Sequence, residues 1–514
     1  MHVRLRLDGR HPRRWHRDLV RRLGAAADTT VEVEFAASGP SALPGNAETL
    51  FTLERLIFGL PARAASAPLT ASERAGLPAV TGRAPDLILD FAGDLAGNLA
   101  GNLAGNPDGA ADPRTWHLRY DGQDGEAGLL ASLLAGRAPW ATVSEGGRAV
   151  ASARLGTEMQ GRVATAFDDG LAHTVTLILA ALKDAPGAGP SGARPPAAPV
   201  PDLSPGALAR RGGRMLAQSI VQRLYRLCFR APHWRVGWRH LDGPGVVDLQ
   251  GHPPSGWATL RDDGHRFYAD PFPLAHGGTT WLFVEEFPHA TQKGVISAVA
   301  MGRDGPVGTP RPVLEEAHHL SYPFVFARDG AIWMVPESSA AGTIDLYRAT
   351  AFPEGWEKVA TLVQGVVASD ATLLEQEGRW WLFATVRDAP VGAPLGLGSY
   401  SDALHLWSAP DFRGPWTPHA RNPVLIDIAS ARPAGAIVRR ATGGLVRPVQ
   451  DCTDGYGRAL GLARIDRLDD GGFGQTVETV LRAGPEWPGS RLHTLNSGGG
   501  FEFIDGSARA PRLP

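Results

Sequence analysis

The apolar and polar positions of this 514-residue chain change their period near its middle. In the first third, short β-type runs alternate with helical stripes. Met1–Asp8 alternates as a strand does, Pro12–Leu23 reads as a helix, and Thr30–Ala36 (TVEVEFA) returns to period two. Gly45–Phe58 sets Leu50, Leu53, Leu56 and Ile57 on a helical stripe. Pro85–Phe91 (PDLILDF) is a short apolar run ending in a carboxylate, the form of a buried parallel strand. Ala127–Leu134 reads as a short helix, Val150–Leu155 and Gly161–Asp168 as edge strands, and Leu171–Leu182 as a helix. This alternation predicts a small open-sheet α/β domain over residues 1–183. Asp90 would stand at the carboxyl edge of its sheet, where ligands bind in such folds, or would cap the next turn. No Gly-x-Gly-x-x-Gly follows a strand, and the GNLA tract within Gly97–Gly109 reads as a surface loop.

Residues 184–206 are rich in Pro, Ala and Gly and predict a solvated linker. Residues 207–230 then predict a connecting amphipathic helix. Leu216, Ile220, Leu224 and Leu227 fall on one side, with Arg210, Arg211, Arg214, Arg223 and Arg226 around them. Such a face packs on a neighbouring domain or lies on an anionic membrane.

From about residue 231 to 514 the pattern becomes short strands and turns, and a unit recurs. Its first halves are FYADPFPLAHGGTTWLFVEE (267–286), LSYPFVFARDGAIWMVPES (320–338), ASDATLLEQEGRWWLFAT (368–385), ARPAGAIVRRATGGLVRPVQD (431–451) and LHTLNSGGGFEFIDG (492–506). The first four are each followed by a second strand pair. Four strands per unit make one propeller blade. The markers Asp270, Tyr322, Asp370, Pro433 and His493 step by 52, 48, 63 and 60 residues, so five blades are expected. The last blade shows only two strands, and WRVGWRHLD (234–242) and SGWATLRD (255–262) should complete it and close the ring. The expected fold is therefore an α/β domain plus an all-β five-bladed propeller, with Trp281, Trp333, Trp380, Trp381, Phe283 and Phe383 packed between blades.

Composition narrows the function. Net charge is −2 and the isoelectric point about 6.8, so no field of one sign argues for a nucleic-acid partner. The one basic run, Arg10–Arg22, reads as a solvated helix face or an anion contact. Two cysteines, Cys228 and Cys452, allow neither a disulfide framework nor a cysteine metal site. No signal-type apolar run opens the chain, and the compartment expected is the cytoplasm, at the inner membrane face if the amphipathic helix engages lipid.

In a propeller the first strand of each blade lines the axis. Asp270, Tyr322, Asp370, Arg432 and His493 would then converge from separate blades. Asp270 and Asp370 are the sharpest feature, because glycosyl chemistry needs one carboxylate to attack or activate and a second group to donate a proton. Glu337, ending WMVPES, is the first choice of proton donor; Glu285 and Glu286 end the matching strand of blade one. The two aspartates could equally cap backbone amides. Arg432, Arg447 and His319 add positive charge that would suit a phosphate-bearing donor, or Arg432 would pair with one of the aspartates. Tyr322, Arg432, His493, His319, Arg447 and Glu286 are the substrate-binding candidates. No metal-ligand motif occurs; a structural Ca²⁺ on the axis is compatible with the fold.

The blade sequences ADPF–WLFVEE, SYPFVF–IWMVPES and SDATLL–WWLFAT resemble the amino-terminal propeller of the plant glucosamine inositolphosphorylceramide transferases and their bacterial relatives, over roughly residues 234–510. More distantly they look like the five-bladed glycosidases that include arabinofuranosidases, xylosidases and fructosidases. In the first domain, PDLILDFAG followed by RTWHLRYDGQDGE resembles the amino-terminal domain of formyltransferases, without that family's His-x-Ser-Leu-Leu-Pro stretch, which implies a structural or acceptor-binding relic. The propeller resemblance implies a carbohydrate-active protein whose Asp270 matches the base or nucleophile of the glycosidases. The glycosidases' glutamate acid is absent from the blade-four and blade-five markers. The reading is a glycosyltransferase in cell-surface glycan or glycolipid synthesis, with a saccharide or glycolipid substrate and a nucleotide-sugar donor. Glycoside hydrolysis, a non-catalytic sugar-binding propeller, and formyl or acyl transfer by the first domain stand as alternatives.

Overall fold

A computed structural model describes the chain except residues 27, 37–42, 93–112, 158, 160, 184–197, 200, 388–397 and 513–514. The GNLA tract and most of the 184–206 segment thus lie outside the described residues. The chain divides into two compact units near Ser219.

The first unit is built on a seven-stranded sheet in the order Thr30–Ala36, His2–Asp8, Leu87–Asp90, Arg114–Tyr120, Trp140–Glu145, Arg148–Arg154, with the two-residue Gln123–Asp124 beside Arg114–Tyr120. The first four strands are parallel (Val3 opposite both Val31 and Leu87) and the last two antiparallel. His2–Asp8 is paired on both sides, and its Val3, Leu5 and Leu7 are fully buried, which is why this short strand is so apolar on one face. Helices Arg14–Gly24 and Ala47–Phe58 bury Trp15, Leu19, Leu23, Leu50 and Phe51. The arginines of the basic run pair with acids: Arg13 with Glu126, Arg22 with Asp18, and Arg17 with Glu73.

One expected element is corrected. Gly161–Asp168 is not an edge strand; Val163–Leu182 is a single helix. Val163, Phe167, Leu171, Val175 and Ile178 recur every three or four residues and are all buried, so the helical stripe begins before the assumed break. Its length and hydropathy would suffice to cross a bilayer, but it is the buried core helix of this unit. Trp140–Glu145 is a strand that the pattern analysis passed over, because buried on both faces it shows no alternation.

A 24-residue helix, Pro205–Cys228, follows. Leu208, Met215 and Ser219 are buried, whereas Leu216, Ile220, Leu224 and Leu227 are exposed.

Among the described residues the second unit has five blade sheets and a separate two-stranded pair, Phe229–Arg230 with Ala510–Pro511. Blade one runs from Arg266 to Leu314, blade two from Ser321 to Gln364, blade three from Val367 to Ile426, and blade four from Val438 to Arg482. Blade five joins both ends of the unit, in the strand order Ala258–Thr259, Trp234–His240, Phe501–Ser507, Leu495–Gly498, as the sequence reading expects. Each blade presents one apolar face to its neighbour. Trp333 and Trp380 lie with ring centroids 5.0 and 5.4 Å from Phe412, and Phe283 and Phe383 are fully buried. The inner strand of blade four is short, Val438–Arg439; upstream of it Pro433, which has no amide to donate, meets Val449 in an isolated bridge.

Candidate active site on the propeller axis

The inner strands of blades one, two and three share one irregularity. Pairing to the second strand slips between Ala269 and Phe272, between Ser321 and Phe324, and between Ser369 and Thr372. In each slip a non-glycine residue takes a left-handed backbone: Asp270 at φ 50°, Tyr322 at 43° and Asp370 at 56°. These are three of the five markers that the repeat singled out. An L-residue adopts that conformation at a cost of about 1 kcal/mol or more, so something must hold it. Carboxylates do. The Asp270 amide donates to Asp505 Oδ2 (2.8 Å), the Tyr322 amide to Asp270 Oδ2 (3.2 Å), and the Asp370 amide to Glu337 Oε2 (3.1 Å). The bulges take residues 270, 322 and 370 out of the ladder.

Two clusters result. In the first, Arg432 Nε lies 2.6 Å from Asp370 Oδ2, its NH2 3.3 Å from Oδ1 and 3.7 Å from Glu337 Oε2, and Gln450 Nε2 donates to Asp370 Oδ2 at 2.8 Å. In the second, Asp505 Oδ1 meets His493 Nδ1 at 2.5 Å, and His493 Nε2 stands 3.7 Å from Asp270 Oδ1, which also accepts from Thr494 Oγ1 at 3.0 Å. Trp234 stacks on His493 at 4.3 Å, and Tyr456 lies between the clusters, 5.3 Å from His493 and 4.8 Å from the Arg432 guanidinium.

Electrostatics ties the clusters together. Burial pushes Asp370 up to about 7, with Arg432 opposing and Glu337 adding to the rise. Burial likewise lifts Asp270 to about 6, His493 opposing, with the charges of Asp505 and Asp370 contributing. Glu285 is driven well above the usual carboxylate range by burial and then by the charges of Asp270 and Glu337. Burial works against the His493 imidazolium, but Asp505 and Asp270 together raise it above its ordinary value. A set of acids whose environments hold protons near neutrality is suited to proton transfer.

The structure sorts the candidates. Asp270, Asp370, Glu337, Arg432 and His493 come together. Tyr322 is present too, but its hydroxyl is used internally, shared with Thr372 Oγ1 (2.8 Å) and accepting from the Gly435 amide (2.7 Å). His319 sits nearer solvent, its Nδ1 accepting from the Gly294 amide and its Nε2 3.4 Å from Glu285. Two candidates are corrected. Glu286 bonds to Arg266 NH1 and Ser297 Oγ, since successive strand residues face opposite ways and Glu285 takes the inner face. Arg447 is fully buried and holds the carbonyls of Ser430 and Ala431 and the Gln475 amide oxygen, fixing the backbone that leads into Arg432. Phe272, Tyr268 and Phe324 are core. Sequence reasoning missed Asp505 and Gln450. A signal for Asp505 existed: it ends FEFIDG as Glu337 ends WMVPES, the second-strand position that accepts the next blade's bulge amide.

One donor atom each from Asp270, His493 and Asp505 lie within 4.8 Å of one another. The amides of Thr494 and Asp270 and the Thr494 hydroxyl already donate into these carboxylates. The three groups meet as a cluster of charges in which Asp505 bonds to His493 while His493 Nε2, at 3.7 Å, stands beyond hydrogen-bond reach of Asp270. In the first unit, Asp90 accepts from the Ala92 amide at 3.0 Å, pairs with Arg6 at 3.4 Å, and lines a cleft with Asp8, Trp15, His16 and His117 at the sheet's carboxyl edge.

Fold and site define a five-bladed propeller with a ring of buried acids at its centre. The family described as Glucosamine inositolphosphorylceramide transferase 1, N-terminal, matches residues 257–498, most of that propeller. Glucosamine inositolphosphorylceramide transferase 1 of Oryza sativa subsp. japonica is 32% identical over 264 residues, 48% of this chain and 34% of its own length. The Arabidopsis thaliana protein of the same name is 30% identical over 285 residues, 52% and 36% of the two chains. The chain thus spans about a third of the length of the curated relatives it matches. Among solved structures, a family 117 glycoside hydrolase from Zobellia galactanivorans aligns with a TM-score of 0.34 at 12% identity, over 54% of this chain and 91% of that one. Bacillus subtilis levansucrase aligns at 0.35 and 11%, over 44% and 75%.

Proposed function

We propose that the propeller is a glycosyl-transferring enzyme in the assembly of a cell-surface glycan or glycolipid, with the reacting sugar held at the acids of its axis. The observation that carries this reading is the placement of Asp270 and Asp370 in each other's field, both buried, with pKa values near 6 and 7. Each can hold or release a proton at working pH, which acid–base or nucleophilic chemistry at an anomeric carbon requires. Asp270 is assigned attack on, or stabilisation of, the anomeric centre. Asp370, clamped by Arg432 and Gln450, exchanges the proton of the incoming hydroxyl. Glu337, beside Asp370 and 3.7 Å from Arg432, serves the leaving oxygen. The similarity to proteins named as glucosamine inositolphosphorylceramide transferases supports a glycolipid acceptor; a nucleotide sugar is the donor proposed with it. For the first unit, the mixed seven-stranded sheet with Asp90 at its carboxyl edge supports the formyltransferase-like reading with an acceptor-binding or structural role. A cytoplasmic location, at the inner membrane face, belongs to the same proposal and is tested by cell fractionation.

Paired carboxylates also suit hydrolysis, and one experiment separates the two. The purified chain is incubated with nucleotide sugars and inositolphosphorylceramide, and with aryl glycosides. Donor consumption that requires the lipid supports transfer; donor-independent release of free sugar supports hydrolysis. Asp270→Asn should lower turnover by about 10²-fold or more with the fold intact. An unchanged rate would remove the axis from the chemistry and leave a binding module.

A further inference from the structure

The last nine residues of the Pro205–Cys228 helix, 220–228, are exposed on every side. They are not polar. Ile220, Val221, Leu224 and Leu227 are between 50% and 70% exposed, and Tyr225 is 36% exposed. At about 100° per residue, Ile220, Val221, Leu224, Tyr225, Leu227 and Cys228 fill one arc of roughly 160°, and Gln222, Arg223 and Arg226 fill the other. An amphipathic helix whose apolar arc faces water has its partner elsewhere.

A second feature lies beside it. The helix end, through Tyr225, borders a cleft of about 910 Å³ whose lining includes Arg235, Arg491, Arg509 and His233, and no Asp or Glu among the described residues. Arg235 is held over the Trp487 ring at 3.9 Å and Arg491 by the Tyr456 carbonyl, so two of the three guanidiniums are fixed in place. The third, Arg509, is exposed.

An exposed apolar helix face flanked by arginines, next to a rigid arginine-lined cleft, has the chemistry of a bilayer's anionic interface. We propose that residues 220–228 and this cleft form a docking face for an anionic phospholipid membrane, with the apolar arc in the acyl boundary and headgroup phosphates at the arginines. Arginine takes phosphate oxygens in a bidentate fork, and apolar burial adds to the electrostatic attraction. The apolar arc alone would suit a second copy of the chain, but a copy would bring its own arginines to the same face; charge complementarity selects the lipid. The proposal deepens the membrane-face location proposed above and rests on it, but membrane binding is measured without turnover, so its failure is distinguishable from failure of the glycosyl reading.

The full chain is sedimented with vesicles of phosphatidylcholine alone and of phosphatidylcholine with about a third phosphatidylglycerol, at about 0.1 M and 0.5 M salt. Binding should be at least about tenfold stronger to the anionic vesicles and should weaken at high salt. Leu224→Glu with Leu227→Glu, and separately Arg226→Glu with Arg509→Glu, should each reduce it about tenfold or more while circular dichroism stays unchanged. Should the leucine pair disturb the fold, Arg223→Glu with Arg226→Glu carries the same test. Equal binding to neutral and anionic vesicles, no binding, or a concentration-dependent dimer that Leu224→Glu dissolves would overturn the proposal; the last would assign the face to a second copy.

Discussion

Arg432 grips Asp370 across neighbouring blades, Nε to Oδ2 at 2.6 Å and NH2 to Oδ1 at 3.3 Å, with both side chains buried. It is the main opposition to the burial and the Glu337 charge that push Asp370 up to about 7. Arg432→Met should therefore raise Asp370 further, on the order of 1–3 pH units for loss of an adjacent cation. The pH–rate limb set by that carboxyl moves to higher pH. An Asp370→Asn variant, inactive or nearly so, should show no such limb. A limb that stays in place in Arg432→Met would assign it to another group.

Asp505 acts at one remove, through His493. Burial alone would lower the imidazole below its ordinary value; the Asp505 contact of 2.5 Å reverses this. Asp505→Asn keeps an acceptor for Nδ1 but removes the charge. The His493 ring, followed by NMR, should titrate lower by on the order of 1–3 units. A merely structural Asp505 would leave the titration where it was.

Asp270 also makes folding pH-dependent. Its folded pKa, about 6, lies above the ordinary 3.8. The native state therefore holds this proton where the unfolded chain has lost it. The stabilisation is fully present below about 3.8 and is lost as pH rises through about 6. Denaturant unfolding followed by tryptophan fluorescence should show Asp270→Asn gaining on the natural chain between pH 4 and 7. A stability difference that is flat across this window would refute the shift.

Ring closure has its own test. A Cβ on Gly237, in the strand that blade five takes from the start of the propeller, would come within 2.6 Å of the Trp487 ring and 3.0 Å of Ile504. Trp487 is buried in the core shared with blade four and cannot retreat. Gly237→Ala should destabilise the propeller by roughly 1–3 kcal/mol, read as a lower unfolding midpoint. A neutral effect would mean that blade five tolerates more movement than its packing indicates.

Much of the propeller was legible in the chain because a repeat carries its own evidence. Five copies of one strand pattern, and two unmatched strands upstream, suffice to count blades and predict the closing pairing. The α/β sheet was legible where strands alternate or run apolar, and illegible at Gly161–Asp168, where a buried helix begins with residues that also suit a strand. The site was legible in part. Asp270 and Asp370 stood out by position in the repeat. Glu286 and Glu285 did not separate, because adjacent residues of a strand take opposite faces and sequence does not say which is inner until the bulge register is known. Arg447 looked like a ligand-binding cation for the same reason: its charge is visible, but the carbonyls of Ser430 and Ala431 that consume it are not.

By itself, then, the amino-acid order determined the blade number, the ring closure and which acids recur at the inner-strand position, since these follow from local periodicity repeated along the chain. Only the tertiary structure decided which charges meet. Asp505 reaches Asp270 and Arg432 reaches Asp370 across 235 and 62 residues of chain. The protonation of each depends on burial and on neighbours brought there by the closed ring, quantities that no local pattern contains.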